Sequence, residues 1–235
     1  MKSNQTSSAE IQELFNRIAP EYDRLNQWLS LGQHRIWKLM AVKWSEPEIG
    51  DIALDLCCGS GDLAHLLAKK VGIIGQVYGV DFAAAQLAIA ADKAKKILPN
   101  HSLNWIEGDV LNLPFADNYF DCATMGYGLR NVVDIQQSLR EIYRVLKPDA
   151  KAAILDFHRP YNPMLRNFQQ LYLDYLVVPL AEFMGLKEEY TYINPSLERF
   201  PQGREQVELA KSVNFQRAIH YSLAEGMMGV LVVQK

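Results

Sequence analysis

Short apolar runs alternate along this chain with longer segments whose apolar residues recur every three or four positions. That is the rhythm of strands followed by amphipathic helices. Ile52-Ala53-Leu54-Asp55-Leu56 leads into a glycine-rich turn and predicts a strand buried on both faces. Leu63, Leu66, Leu67 and Val71 form one stripe of a helix over Ser60 to Val71. Gln76 to Asp81 reads as a second strand and Ala83 to Ile97 as an alanine-rich helix. Leu103 to Glu107 and Phe120 to Met125 continue the strand series. A helix from Asp134 to Leu146 should stop before Lys147-Pro148, ahead of a strand over Ala152 to Phe157. After a helix at Gln202 to Ser212, Phe215, Ile219 and Tyr221 alternate with polar neighbours, and Met227 to Val233 forms the last run. Strands joined by so short a break as Ala224-Glu225-Gly226 must be antiparallel. The predicted fold is α/β: a mostly parallel sheet ending in an antiparallel hairpin, with helices on both faces.

Two segments stand outside this rhythm. Residues 9–44 predict helices anchored by Phe15, Trp28, Leu31, Trp37 and Trp44. Residues 157–200 carry Phe168, Tyr172, Tyr175 and Phe183 at helical spacing. Such stripes are either core or walls of an apolar pocket over the carboxyl ends of the strands, where open α/β sheets bind ligands. We therefore divide one domain, 1–235, into a helical cap (1–50), a βα core (51–156), a substrate-side helical insertion (157–212) and a terminal hairpin (213–235).

Composition narrows the classes. With 49% hydrophobic and 22% charged residues and a net charge of −3, the chain is an ordinary globular protein without a large basic surface for nucleic acid. Cys57, Cys58 and Cys122 form no CxxC and are read as reduced thiols. Met1 to Ser8 have neither the apolar stretch of a signal peptide nor the arginines of a transit peptide. No apolar run approaches the ~18 residues of a membrane span. A cytoplasmic location is expected.

Candidate chemistry centres on Asp55-Leu56-Cys57-Cys58-Gly59-Ser60-Gly61-Asp62, which passes from strand to helix. Glycines there allow a tight turn and close approach of backbone N–H groups to a ligand. Asp81 ends the next strand, 20 residues after Gly61, where a carboxylate can accept from both hydroxyls of a ribose. Gly59-Ser60-Gly61-Asp62-Leu63-Ala64 also fits a dinucleotide loop, whose pyrophosphate would occupy the helix N-terminus. Charge separates the two. Asp55 and Asp62 flank this loop, and no Lys or Arg within it offsets them. S-adenosylmethionine lacks phosphate and carries a sulfonium and an ammonium beside its carboxylate, so it is the favoured ligand. Glu107-Gly108-Asp109-Val110 ends the third strand, with an acid for the adenine amino group and an apolar cover for the ring.

The chain resembles class I S-adenosylmethionine-dependent methyltransferases, and among them the ubiquinone/menaquinone biosynthesis C-methyltransferases. The resemblance rests on Phe15-Asn16-Arg17-Ile18-Ala19-Pro20-Glu21-Tyr22-Asp23, Leu31-Gly32-Gln33-His34-Arg35-Ile36-Trp37, Gly126-Tyr127-Gly128-Leu129-Arg130-Asn131-Val132 and Tyr143-Arg144-Val145-Leu146-Lys147-Pro148. It implies a Rossmann-like, seven-stranded sheet with helical insertions over the active site. Cofactor contacts would fall on Ser60, Asp81, Asp109, Val110 and Gly126 and the backbone of Gly59 and Gly61. Asp55 and Phe82 adjoin them, and Tyr22 would close over the methionine end. Cys58-Gly59-Ser60-Gly61 replaces the Gly-Gly-Thr-Gly of many members, as in the phototroph branch that methylates 2-phytyl-1,4-naphthoquinone.

The implied substrate is a reduced, prenylated naphthoquinol, because an oxidised quinone ring is too electron-poor to attack a methyl group. Deprotonating a ring hydroxyl activates the ortho carbon, and no metal is required. Arg130 is expected to stabilise the quinolate oxygen, Asn131 to orient it, and His158, the only histidine expected on that rim, to serve as base. Cys57 and Cys58 are read as packing residues. A lipid substrate further implies weak peripheral membrane contact; the sequence carries no signal for oligomeric state. Two rivals share the cofactor site. Met125-Gly126-Tyr127-Gly128 departs from the Asn/Asp-Pro-Pro-Tyr/Phe of nucleic-acid amino methylators. A demethylmenaquinol or benzoquinol methyltransferase, or a non-catalytic subunit of a quinone-synthesis assembly, remains open at this level.

Overall fold

The structure is a computed structural model that describes residues 33–183 and 193–235. Phe15, Tyr22, Trp28 and Leu31, with the first family motif, lie outside the described residues. Seven strands form one sheet in the order β3-β2-β1-β4-β5-β7-β6. They are β1 (Ile52–Leu56), β2 (Gln76–Asp81), β3 (Ser102–Glu107), β4 (Phe120–Gly126), β5 (Leu146–Phe157), β6 (Arg217–Leu223) and β7 (Met228–Gln234). The first five pair in parallel, and β7 runs antiparallel between β5 and β6. The expected sheet and hairpin are both present. Chain order reverses between β1 and β4, which opens a crevice at their carboxyl ends.

The apolar pattern sets the two faces. Along β1, Ala53 packs on one side and Leu54 and Leu56 on the other, the period-2 alternation of a strand. One face holds α1 (Gln33–Trp44) and α2 (Asp62–Val71), through Ala41, Val42, Leu63 and Leu67. The other holds α4 (Ile135–Val145), through Leu139 and Ile142, and α8 (Gly203–Ser212), through Ala210. Between them in the chain come α3 (Ala84–Ile97), α5 (Pro163–Tyr172), a π-turn at Leu173–Val177, α6 (Val178–Phe183) and α7 (Ile193–Arg199). Trp37 of α1 packs against the core, and Trp44 at the end of the same helix stacks on Tyr221 with ring centroids 4.5 Å apart.

Three expectations change in detail. The helix after β1 starts at Asp62 rather than Ser60, because Gly61 adopts φ 86° as its cap. Strand β5 begins at Leu146, six residues earlier than expected. Its register on β4 shifts between Phe120↔Leu146 and Cys122↔Lys151, so Pro148 sits in a bulge and withdraws no ladder hydrogen bond. The third concerns the aromatic insertion. Phe168 and Tyr175 are 58% and 77% exposed, in line with Met164 at 80% and Leu171 at 54%. Phe168 and Tyr175 therefore face outward, Tyr172 is half-buried, and the Phe183 side chain lies outside the described residues. No helix among the described residues is long and apolar enough to cross a membrane.

The motif around Tyr143 to Pro148 braces the loop after β3. The Arg144 guanidinium donates to the carbonyls of Leu113 (2.9 Å) and Phe115 (2.6 Å) and to Glu141, while Glu141 Oε2 accepts the Leu113 N–H at 2.8 Å. That loop carries Asp109 and Val110.

Candidate active site

The carboxyl ends of β1, β2, β3 and β4 surround a cleft with about 1080 Å³ of open space. After β1 the backbone turns through Cys57 (φ 50°), Gly59 (φ 52°) and Gly61 (φ 86°), left-handed values that glycine adopts without strain. A Cβ on Gly61 would lie 2.7 Å from the Trp105 ring, so only glycine fits. The loop is pinned by Asp81, whose Oδ2 accepts the Gly59 N–H at 2.8 Å and whose Oδ1 accepts the Ala83 N–H at 2.9 Å. On the far side, Tyr127 holds φ 61°, and a Cβ on Gly128 would lie 2.5 Å from Cys57 Cβ. The turns after β1 and β4 therefore meet at close range across the switch point.

Asp55 lies at the floor of the cleft, accepting from the Thr124 hydroxyl (2.8 Å) and the Ala64 N–H (2.9 Å). Burial pushes its carboxyl up to about 7, against those two hydrogen bonds and the pull of Lys38. Burial also raises Asp81, against the N–H groups of Ala83, Gly59 and Phe82. Cys57 and Cys58 both line the cleft, a place the packing expectation did not give them. Burial, then the neighbouring carboxylates, push both thiols well above their ordinary range, so neither is a ready nucleophile.

The uncompensated acidity read from the loop is corrected. Lys38 Nζ lies 2.7 Å from Asp62 Oδ2, and Lys93 Nζ lies 3.7 Å from Asp62 Oδ1 and donates to Ser60 Oγ at 3.0 Å. Burial disfavours the Asp62 carboxylate, yet the Lys38 and Lys93 ammoniums hold it below its usual range. The charges arrive from helices α1 and α3, beyond the reach of a local motif.

Asp55, Gly59, Ser60, Asp81, Phe82, Asp109, Val110, Gly126 and Asn131 line the cleft. Gly61 shapes the turn without being part of the lining. Arg130 departs from expectation. Its guanidinium turns away, to Asp156 Oδ1 at 2.5 Å, to the Tyr127 carbonyl at 2.7 Å and over the Phe157 ring at 5.2 Å. A charge this buried requires a partner, and Asp156 supplies it. His158 departs too, being neither on the cleft nor alone. It is buried, Nδ1 faces the Asp156 carbonyl at 3.1 Å, and Nε2 lies 2.8 Å from Gln206 Nε2 and 3.0 Å from His220 Nε2. Burial lowers both imidazole pKa values, His220 to about 4 with help from His158, so the pair is neutral near pH 7.

Sequence reasoning missed Lys38 and Gln86. The signal for Lys38 was its position directly after the Leu31–Trp37 motif. Gln86 Oε1 and Asn131 Oδ1 are buried acceptors with no hydrogen-bond partner among the described residues, and both residues line the cleft. Orphaned acceptors in a cleft rich in carboxylates suit a ligand that brings donors and positive charge.

The ubiE/COQ5 methyltransferase family model matches residues 2–235. The chain belongs to the ubiE/COQ5 methyltransferase family. A 2-phytyl-1,4-naphtoquinone methyltransferase of Nostoc punctiforme is 66% identical over 226 residues, 96% of this chain and 98% of the relative. The chloroplastic 2-phytyl-1,4-beta-naphthoquinone methyltransferase of Arabidopsis thaliana is 50% identical over 94% of this chain and 86% of its own length. Among solved structures, SAM-dependent methyltransferases of Aquifex aeolicus (TM-score 0.65, 17% identity, 90% and 97% of the two chains) and Thermotoga maritima (TM-score 0.67, 21%, 95% and 99%) share the fold. This ubiE/COQ5 enzyme is thus an S-adenosylmethionine-dependent methyltransferase. The groups in its cleft that could hold that donor include the carboxylates of Asp81 and Asp55 and the apolar side chain of Val110, all of which line it.

Proposed function

We propose that this enzyme C-methylates the ring of 2-phytyl-1,4-naphthoquinol, the reduced form of the quinone in its relatives' names. The observation that carries the reading is the 50–66% identity to such methyltransferases over nearly the whole chain. The cleft supports it. Asn131 Oδ1 offers a buried acceptor beside the apolar Val132 and Val133, chemistry suited to a ring hydroxyl on a hydrocarbon body.

The bound methyl donor supplies a methyl group already activated on sulfonium. Asn131 Oδ1, accepting from a ring hydroxyl, polarises it toward the quinolate and raises electron density at the ortho carbon. That carbon attacks the methyl group as the S–CH₃ bond breaks and S-adenosylhomocysteine leaves with the bonding pair, and the ring proton passes to water, which restores aromaticity. Arg130 acts through position: with Asp156 it holds the Tyr127–Asn131 turn, so Asn131 stays aimed. Holding the ring carbon in line behind the S–CH₃ bond is worth up to about 7–11 kcal/mol of a barrier. The outward stripe of Met164, Phe168, Leu171 and Tyr175 is the face assigned to the bilayer that dissolves the phytyl tail.

The test is methyl transfer from labelled S-adenosylmethionine to 2-phytyl-1,4-naphthoquinol in phospholipid vesicles. Label is expected in the ring of the quinol and absent from the oxidised quinone; a bound donor with no transfer to the quinol would overturn the reading. In the same assay Asn131→Leu is expected to cut turnover by roughly tenfold or more, the worth of one hydrogen bond to a developing charge, with donor affinity within about twofold. Protein that fails to float with these vesicles would remove the bilayer assignment.

Asp55 makes donor binding pH-dependent. A cationic arm binds the ionised carboxylate better, and the free enzyme's carboxyl titrates at about 7. Affinity for S-adenosylhomocysteine should therefore rise from pH 6 toward pH 7, by at most about tenfold per unit, and level off above it. Titration calorimetry at pH 6 and 8 checks this, and Asp55→Asn is expected to flatten the slope.

A further inference from the structure

Among the described residues that line the cleft, four carry carboxylates (Asp55, Asp62, Asp81 and Asp109) and one, Lys38, carries a fixed positive charge. Lys38 comes from α1, outside the βα core, and its side chain is 15% exposed. Its Nζ donates to Asp62 Oδ2 at 2.7 Å and lies 5.8 Å from the centroid of the Tyr127 ring. An ammonium has three protons to donate, and Asp62 takes one. Asp62 itself lies between two ammoniums, Lys38 and Lys93, so this corner is positive while the rest of the cleft is acidic. The methyl donor has one anionic group, the carboxylate of its amino-acid arm. Its ammonium and sulfonium suit the acidic part, and its carboxylate suits the positive corner.

We propose that Lys38 receives the α-carboxylate of the methyl donor, with Asp62 and the face of Tyr127 holding the ammonium in place. The proposal rests on the cleft being the donor site and names the residue that reads the amino-acid end. It also makes the α1 helix, which leads in from the N-terminal segment, part of the donor pocket. Recognition of the carboxylate adds one charge-assisted hydrogen bond to the contacts proposed for Asp55 with the cationic arm and for Asp81 with the ribose.

Two ligands separate this role from a general effect on folding. S-adenosylhomocysteine keeps the amino-acid carboxylate, whereas 5′-methylthioadenosine keeps only the adenosine and thioether. Calorimetry of the full chain with Lys38→Met should show S-adenosylhomocysteine binding weakened about tenfold or more and methylthioadenosine within about twofold. Lys38→Arg, which retains charge, should recover most of the loss. Equal weakening of both ligands, or no change for S-adenosylhomocysteine, would overturn the proposal. Failure of the unsubstituted protein to bind S-adenosylhomocysteine would instead overturn the donor-site reading beneath it.

Discussion

Asp81→Ala is expected to weaken S-adenosylhomocysteine binding by more than about a hundredfold, and with it to abolish the ligand-induced rise in melting temperature. The side chain is buried at the end of β2 with one oxygen on the Gly59 N–H and the other on the Ala83 N–H. Each oxygen keeps a lone-pair site for a ribose hydroxyl. Hydrogen bonds to a charged group are worth about 1.5–3 kcal/mol, so losing two costs about 3–6 kcal/mol of binding. The alanine also leaves the Gly59 N–H without its acceptor and loosens the turn that shapes the pocket. Asp81→Asn should fare little better, because its amide NH₂ would confront one of the two N–H donors. Calorimetry and melting scans without ligand separate the two effects; affinity retained within tenfold in both variants would dismiss Asp81 as the ribose acceptor.

Asp156→Ala is expected to be the most damaging single change to stability outside the apolar core. The Arg130 and Asp156 side chains are 7% and 0% exposed, and the pair is closed at 2.5 Å. Removing one partner of a buried ion pair leaves an uncompensated charge, at about 3–5 kcal/mol. Asp156 also accepts from the backbone N–H groups of Arg130 (3.0 Å) and Phe157 (2.8 Å), so the Gly128–Asn131 turn loses its anchor to β5. Turnover should fall with stability, since Asn131 belongs to that turn. Replacing both partners by apolar residues, Arg130→Met with Asp156→Leu, should recover part of the stability but not the turnover. Chemical denaturation measures the first and methyl transfer the second. A loss below about 1 kcal/mol in Asp156→Ala would mean that the pair is screened, not buried.

Legibility differs from element to element. The strands, their parallel order up to β5 and the terminal hairpin follow from periodicity and connection length, because a strand's alternation and a four-residue reversal are local properties of the chain. The loop from Asp55 to Asp62 was legible for the same reason: its hydrogen bonds, Gly61 N–H to Cys58 carbonyl at 2.9 Å and Ala64 N–H to Asp55, close over few residues. The aromatic stripe that runs from α5 into Leu173–Val177 was visible, but the pattern could not say which way it faced. An apolar face records that something covers it or that a hydrophobic partner is met, without recording what that partner is.

Sequence by itself determined the α/β class, the nucleotide-type loop, the acidic residues of the pocket and the family. Tertiary structure alone decided where the charges go. Lys38 meets Asp62 across 24 residues, Arg130 meets Asp156 across 26, and His158 meets His220 across 62. Each pairing turned a residue away from, or toward, the role its motif suggested. The physical reason is range: backbone pattern is set by neighbours three or four residues apart, whereas a buried charge accepts whichever partner the packed helices and strands bring within 3 Å.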